Sequence, residues 1–136
     1  MAYHFWKRRI VILVHTKETP SDEEWSRYCE DVQRWRKSVE GILVVSEGGG
    51  PNTMQRGSLE AALGEDFSGK TAVVTLSRIA RGIVTALSWV NSRIKAFATN
   101  QMSAAAEHVG VGKEEQAQLL AEVTRLRADL GLTGAL

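Results

Sequence analysis

The chain has 136 residues, 43% of them hydrophobic and 24% charged, which is one domain's length of chain, able to bury a sizeable core and too apolar for a disordered segment. Seventeen Lys and Arg against 16 Asp and Glu leave a net charge of +1, so the overall positive field that concentrates proteins on nucleic acid is missing. The single cysteine, Cys29, cannot form an internal disulfide and has no ligand-spaced Cys or His around it, which argues against a disulfide scaffold or a metal site and for a reducing, cytoplasmic setting.

Tyr3, His4, Phe5 and Trp6 precede the basic run Lys7-Arg8-Arg9; the run reads as a solvated strand start, and the aromatic residues either extend the next strand or pair with it. Residues 10–14, Ile-Val-Ile-Leu-Val, are continuous and β-branched, the signature of a strand buried on both faces. The run is far too short for a secretion signal or a membrane span. Pro20, Ser21 and three acidic residues then open a helix, with the carboxylates at the positive end of its dipole. Trp25, Tyr28, Val32, Trp35 and Val39 follow at spacings of three and four as one apolar stripe, which assigns Trp25 and Trp35 to the core.

Gly41 ends that helix and residues 42–45 repeat the buried-strand signature. A glycine-rich turn over residues 46–52 leads into a helix over residues 53–63, closed by Gly64. A third strand spans residues 71–75, and Ser77 caps a helix whose apolar positions are Ile79, Ile83, Leu87 and Val90. Gly82 in that helix suggests close packing on a neighbour, and Trp89 belongs at the edge of the core or in an interface. A short strand at residues 94–97, a cap at Asn100 and a helix through Val109 follow. Residues 113–130 form a last amphipathic helix on which Leu119, Val123, Leu126 and Leu130 line up.

Strands alternating with helices predict an α/β fold: a mainly parallel sheet of four to five strands with right-handed helical crossovers. Residues 1–112 make the domain; residues 113–136 add a helix that packs on it or on a second subunit, with Leu119, Val123, Leu126 and Leu130 as the partner or homodimer surface.

Residues 71–111, with AVVTLSRIARGIVTALSW and RIKAFATNQMSAAAEHVGV, resemble the second half of SpoIIAA-like domains of the STAS group. The first half matches only in the order of its elements, and the glycine loop has no counterpart in the family pattern. The resemblance implies a STAS-like regulatory module that binds a protein partner and holds a small apolar or lipid-like ligand. Some members are switched by phosphorylation at a helix N-terminus, but the Asp-Ser-Ser-Gly motif of those members is absent here.

In an open parallel sheet the crevice lies outside the carboxyl ends of the strands. At that edge Gly48, Gly49, Gly50 and Asn52 could receive an anion on free backbone N–H groups, or could simply turn the chain. Ser77 beside Arg78 and Arg81 could hold a phosphate, on a ligand or added to Ser77 itself, or could be a plain helix cap with two solvated arginines. His15, Glu47 and Ser77 lack a nucleophile elbow, paired carboxylates or metal spacing. The expectation is therefore a non-catalytic module without cofactor, metal, nucleic acid or membrane span. The alternative is a small enzyme using His15 or Glu47 as acid or base.

Overall fold

The computed structural model describes residues 1–134. Five strands, β1 (Ala2–Trp6), β2 (Ile10–His15), β3 (Gly41–Ser46), β4 (Lys70–Thr75) and β5 (Ile94–Phe97), form one sheet in the order β1-β2-β3-β4-β5. β1 pairs antiparallel with β2 and every other pairing is parallel. Helices α1 (Asp22–Trp35), α2 (Thr53–Leu63) and α3 (Arg78–Val90) are the crossovers, and α4 (Met102–His108) and α5 (Gln116–Asp129) follow the last strand. Each crossover steps one strand in the same direction, so crossovers of one hand place α1, α2 and α3 on the same face. α4 and α5 cover the other. The chain is thus α/β, with a mostly parallel five-strand sheet and a C-terminal helix.

The two faces draw on alternate residues of the same strands. Ile10, Ile12 and Val14 of β2, with Leu43, Val45, Ala72 and Val74, meet Ala105, Ala106, Leu119, Val123 and Leu126 of α4 and α5. Val11, Leu13 and Ile42 meet Trp25, Tyr28 and Val32 of α1 and Ala62 of α2. Leu119, Val123 and Leu126 are therefore core residues of their own chain and Leu130 packs against them. These side chains are not available as a dimer surface, because the spacing that marks an association seam also marks a helix lying on a sheet.

Lys7-Arg8-Arg9 is a tight turn between β1 and β2 rather than a solvated strand start. Arg9 N donates to Trp6 O at 3.0 Å, and Lys7 and Arg8 hold φ of 53° and 55°, left-handed values that Asn and Gly usually occupy in such hairpins. Each cation has its own support: Lys7 pairs with Glu115 at 2.5 Å, Arg8 lies over the Trp35 ring and Arg9 pairs with Glu40 at 3.0 Å.

Two helices also differ from expectation. The segment before α4 begins with a 3-10 turn at Thr99–Gln101 in which Gln101 Oε1 accepts from Ala98 N, so Asn100 is not the cap. In α3, the amphipathic stripe is not buried: no residue of that helix is, and Ile79 and Val90 stand 80% and 87% exposed. A Cβ placed on Gly82 would meet nothing within 4 Å, so this glycine does not mark a close approach.

Candidate functional site

α1 and α2 are fastened together, whereas α2 and α3 stand apart. Asn52 and Gln55 form a reciprocal capping box at the start of α2, and the same Gln55 donates through Nε2 to Pro20 O at 2.9 Å and Asp22 Oδ1 at 3.0 Å. Trp25 Nε1 of α1 donates back to Gln55 O at 2.6 Å. Nothing comparable joins α2 to α3, and the gap between them opens onto the middle of the sheet as a groove of about 500 Å³.

Its floor is Ile42 and Val44 of β3 with Thr71 and Val73 of β4, its walls are Leu59 and Leu63 of α2 and Ile79, Ile83 and Leu87 of α3. At the strand ends it reaches His15, Ser46 and the glycine loop, and toward α1 it touches Trp25 and Tyr28. Lys17, Arg56 and Arg93 contribute positive charge to the lining and Glu60 negative. A concave, mainly apolar site with a few polar groups is the usual form of a small-molecule pocket.

The polar groups on this lining are unusual for being unpartnered. Both ring nitrogens of His15 and the hydroxyl of Tyr28 are buried without a hydrogen-bond partner among the described residues. Buried donors and acceptors left without partners are destabilising and uncommon. Burial, with a smaller contribution from the positively charged amino terminus and against the pull of Glu24, pushes the His15 pKa down to about 4, so the ring is neutral. Burial likewise pushes the Tyr28 phenol far above its ordinary range. His15 lies against Trp25, ring centroids 6.2 Å apart. Neutral imidazole offers one donor and one acceptor, and the phenol can do either.

The residues expected at the strand ends divide. Gly48, Gly49 and Gly50 line the groove, but the first two are not an anion cradle, because their amides are already engaged: Gly48 N donates to Ser46 Oγ at 2.9 Å and Gly49 N to Thr16 O at 2.9 Å. A Cβ on Gly49 would come within 2.2 Å of Glu18 O, so this glycine permits two backbone segments to touch; Gly48 holds a φ of 132°. Gly50 has open space around it. Asn52 is a helix cap, and Ser77 Oγ accepts from Ala80 N at 3.1 Å as the cap of α3. Ser77, Arg78 and Arg81 lie outside the groove lining, and the two arginines form no ion pair among the described residues.

Glu47 is separated from His15: its Oε1 accepts from Arg127 Nη2 of α5 at 2.5 Å, on the opposite side of the sheet. His15 therefore has no carboxylate to orient it and no nucleophile within a hydrogen bond. No group of three His, Cys, Asp or Glu among the described residues is placed to hold a metal ion, and none of their helices is long and apolar enough to cross a membrane. Among the groove residues absent from the expected set are Tyr28, Leu59 and Leu63 of α2 and the inner side of α3. Tyr28 reads as one more member of a core stripe, and the stripe of α3 was legible while its lack of cover was not. Comparison with known protein families, with curated proteins and with solved structures finds no match in any of the three.

Proposed function

We propose that the protein is a non-catalytic binding module whose groove between α2 and α3 takes an elongated apolar small molecule bearing an uncharged hydroxyl or carbonyl group. The observation that carries this reading is the coincidence, on one lining, of an apolar floor about as large as a ligand pocket and the unpartnered polar atoms of His15 and Tyr28. A neutral head would satisfy them, whereas a charged head placed against them would meet a neutral imidazole and a neutral phenol, and burying an unpaired charge is far more costly than burying a hydroxyl. Lys17 and Arg56 on the lining favour an anionic over a cationic substituent where the ligand emerges.

The STAS-like resemblance of residues 71–111 supports the same reading, and with it a regulatory role in which a protein partner responds to ligand occupancy. The isolation of His15 from Glu47 supports binding over acid–base catalysis. The test is titration with a fluorescent long-chain alcohol and the matching carboxylate, followed by native mass spectrometry of the purified protein for retained ligand. We expect the alcohol to bind and Val73→Phe, which fills the floor, to weaken it at least tenfold with the melting temperature held. Absence of binding by the wild type, or equal affinity in the variant, overturns the reading.

A further inference from the structure

We propose that α3, with the edge strand β5 beside it, docks the protein reversibly on the surface of an anionic lipid bilayer. Residues 67–106 hold Lys70, Arg78, Arg81, Arg93 and Lys95 and none of the 16 carboxylates, while the rest of the chain carries twelve cations against all sixteen. A net charge of +1 thus hides a segregation along the chain: the stretch that builds β4, α3 and β5 carries only cations and the remainder is acidic overall. The same segment carries most of the large apolar side chains left in solvent, Leu76, Ile79, Ile83, Trp89 and Val90, with Trp89 82% exposed.

Single exposed apolar residues need no explanation, but four of these five share one helix of 13 residues. The other long helices do not behave this way. α1 turns Glu23 and Arg27 outward as an ion pair, and α5 turns out Arg125 between Glu122 and Asp129. A helix with exposed Trp, Ile and Val, basic residues and no acidic ones has the composition that lies in the headgroup region of a membrane. Anionic lipid headgroups then complement Arg78 and Arg81, which have no carboxylate partner within the described chain.

Charge decides against a second copy of the chain as the cover. A two-fold contact through α3 would bring this cationic stretch against itself, with no carboxylate of the segment to offset the repulsion. The docking does not depend on the groove holding a ligand, so groove binding of the soluble alcohol probe and vesicle binding can fail separately.

The experiment is sedimentation of the full chain with vesicles of phosphatidylcholine alone and with vesicles enriched in phosphatidylglycerol, at low and high salt. We expect partition onto the anionic vesicles only, weakened by salt, with a blue shift of tryptophan fluorescence and quenching by brominated lipid. Arg78→Gln with Arg81→Gln should weaken partition by about 25-fold, about fivefold for each charge. Trp89→Ala should remove the blue shift. Both changes are at surface positions of α3, and unchanged thermal melting verifies the fold. A control pair on α1 and its end, Arg34→Gln with Lys37→Gln, should bind as the wild type does. No partition, partition indifferent to lipid charge, or equal loss in the control pair overturns the proposal. So does a wild-type dimer by light scattering that Trp89→Ala dissolves without vesicle binding, since a protein surface would then be the cover.

Discussion

The sheet presents two faces built from the same strands, and they are finished differently. Under α4 and α5, alternate residues of β2, β3 and β4 meet Leu119, Val123 and Leu126, and all of them are buried. On the other side α1 supplies Trp25, Tyr28 and Val32 over β2, but α2 brings only Gln55 and Ala62 to full burial and α3 brings nothing. Val44, Thr71 and Val73 are left half-covered beneath the gap. An apolar strand predicts a buried face, but it is the helix opposite that decides whether the face is closed by the chain or left for something else.

The largest expected contrast is between the helices of the two faces. Leu119→Ala should destabilise by about 2–5 kcal/mol, the range for emptying a packed leucine site, whereas Ile83→Ala should stay within about 1 kcal/mol because its side chain is half in water. Urea unfolding of the two variants measures both. Similar losses would mean that α3 is as firmly seated as α5.

The second contrast is in pH dependence. The folded His15 resists protonation down to about 4 while the unfolded chain takes up the proton near 6.5, so between those values the unfolded state binds more protons and stability rises with pH. Acidification through that window should remove about 3 kcal/mol. His15→Phe should flatten this part of the stability profile, read by chemical unfolding at a series of pH values, whereas ligand that hydrogen-bonds the neutral ring should be held through that interval and released only as the pH falls below about 4.

A third contrast separates two neighbouring glycines at the groove end. Gly49→Val should destabilise by about 1–3 kcal/mol or more, the range for forced overpacking, because its Cβ would strike the backbone of Glu18 and Thr16. Gly50→Val, with open space around it, should leave the melting temperature nearly unchanged and narrow the groove. Thermal melts with probe titration distinguish the two. The smallest effect is at Ser77: Ser77→Ala should lower stability by about 1 kcal/mol through loss of the cap to Ala80 N, with probe binding unaltered, since Ser77 does not line the groove.

Much of the fold was legible because its periodicities are strong. The β-branched runs of β2, β3 and β4 and the stripe of α5 fall within a residue or two of the expected positions, whereas α1 stops at Trp35, short of Val39 and of Gly41, which opens β3 instead of closing the helix. The hairpin was less so: no Asn-Gly marks it, and Lys7 and Arg8 adopt left-handed backbone that their own chemistry does not favour. His15 was legible as a strand-end residue. Tyr28 was not, because spacing shows which side of a helix is buried and not whether a hydroxyl there has a partner. The glycine loop was found and its role misread as open to anions, since a close approach between residues 16–18 and Gly49 is invisible in a local sequence. Spacing in α3 and α5 looks alike, and only the structure shows that one stripe is covered and the other is not.

The docking of α5 has a consequence in time. Ile10, Ile12 and Val14 are made about a hundred residues before the helix that covers their side of the sheet, residues 116–129. At elongation rates of about 5–20 residues per second, that apolar surface waits for several seconds on the ribosome before its cover exists. A ribosome stalled before α5 emerges would leave a chain whose strands β2, β3 and β4 expose the apolar face that α5 covers in the folded protein.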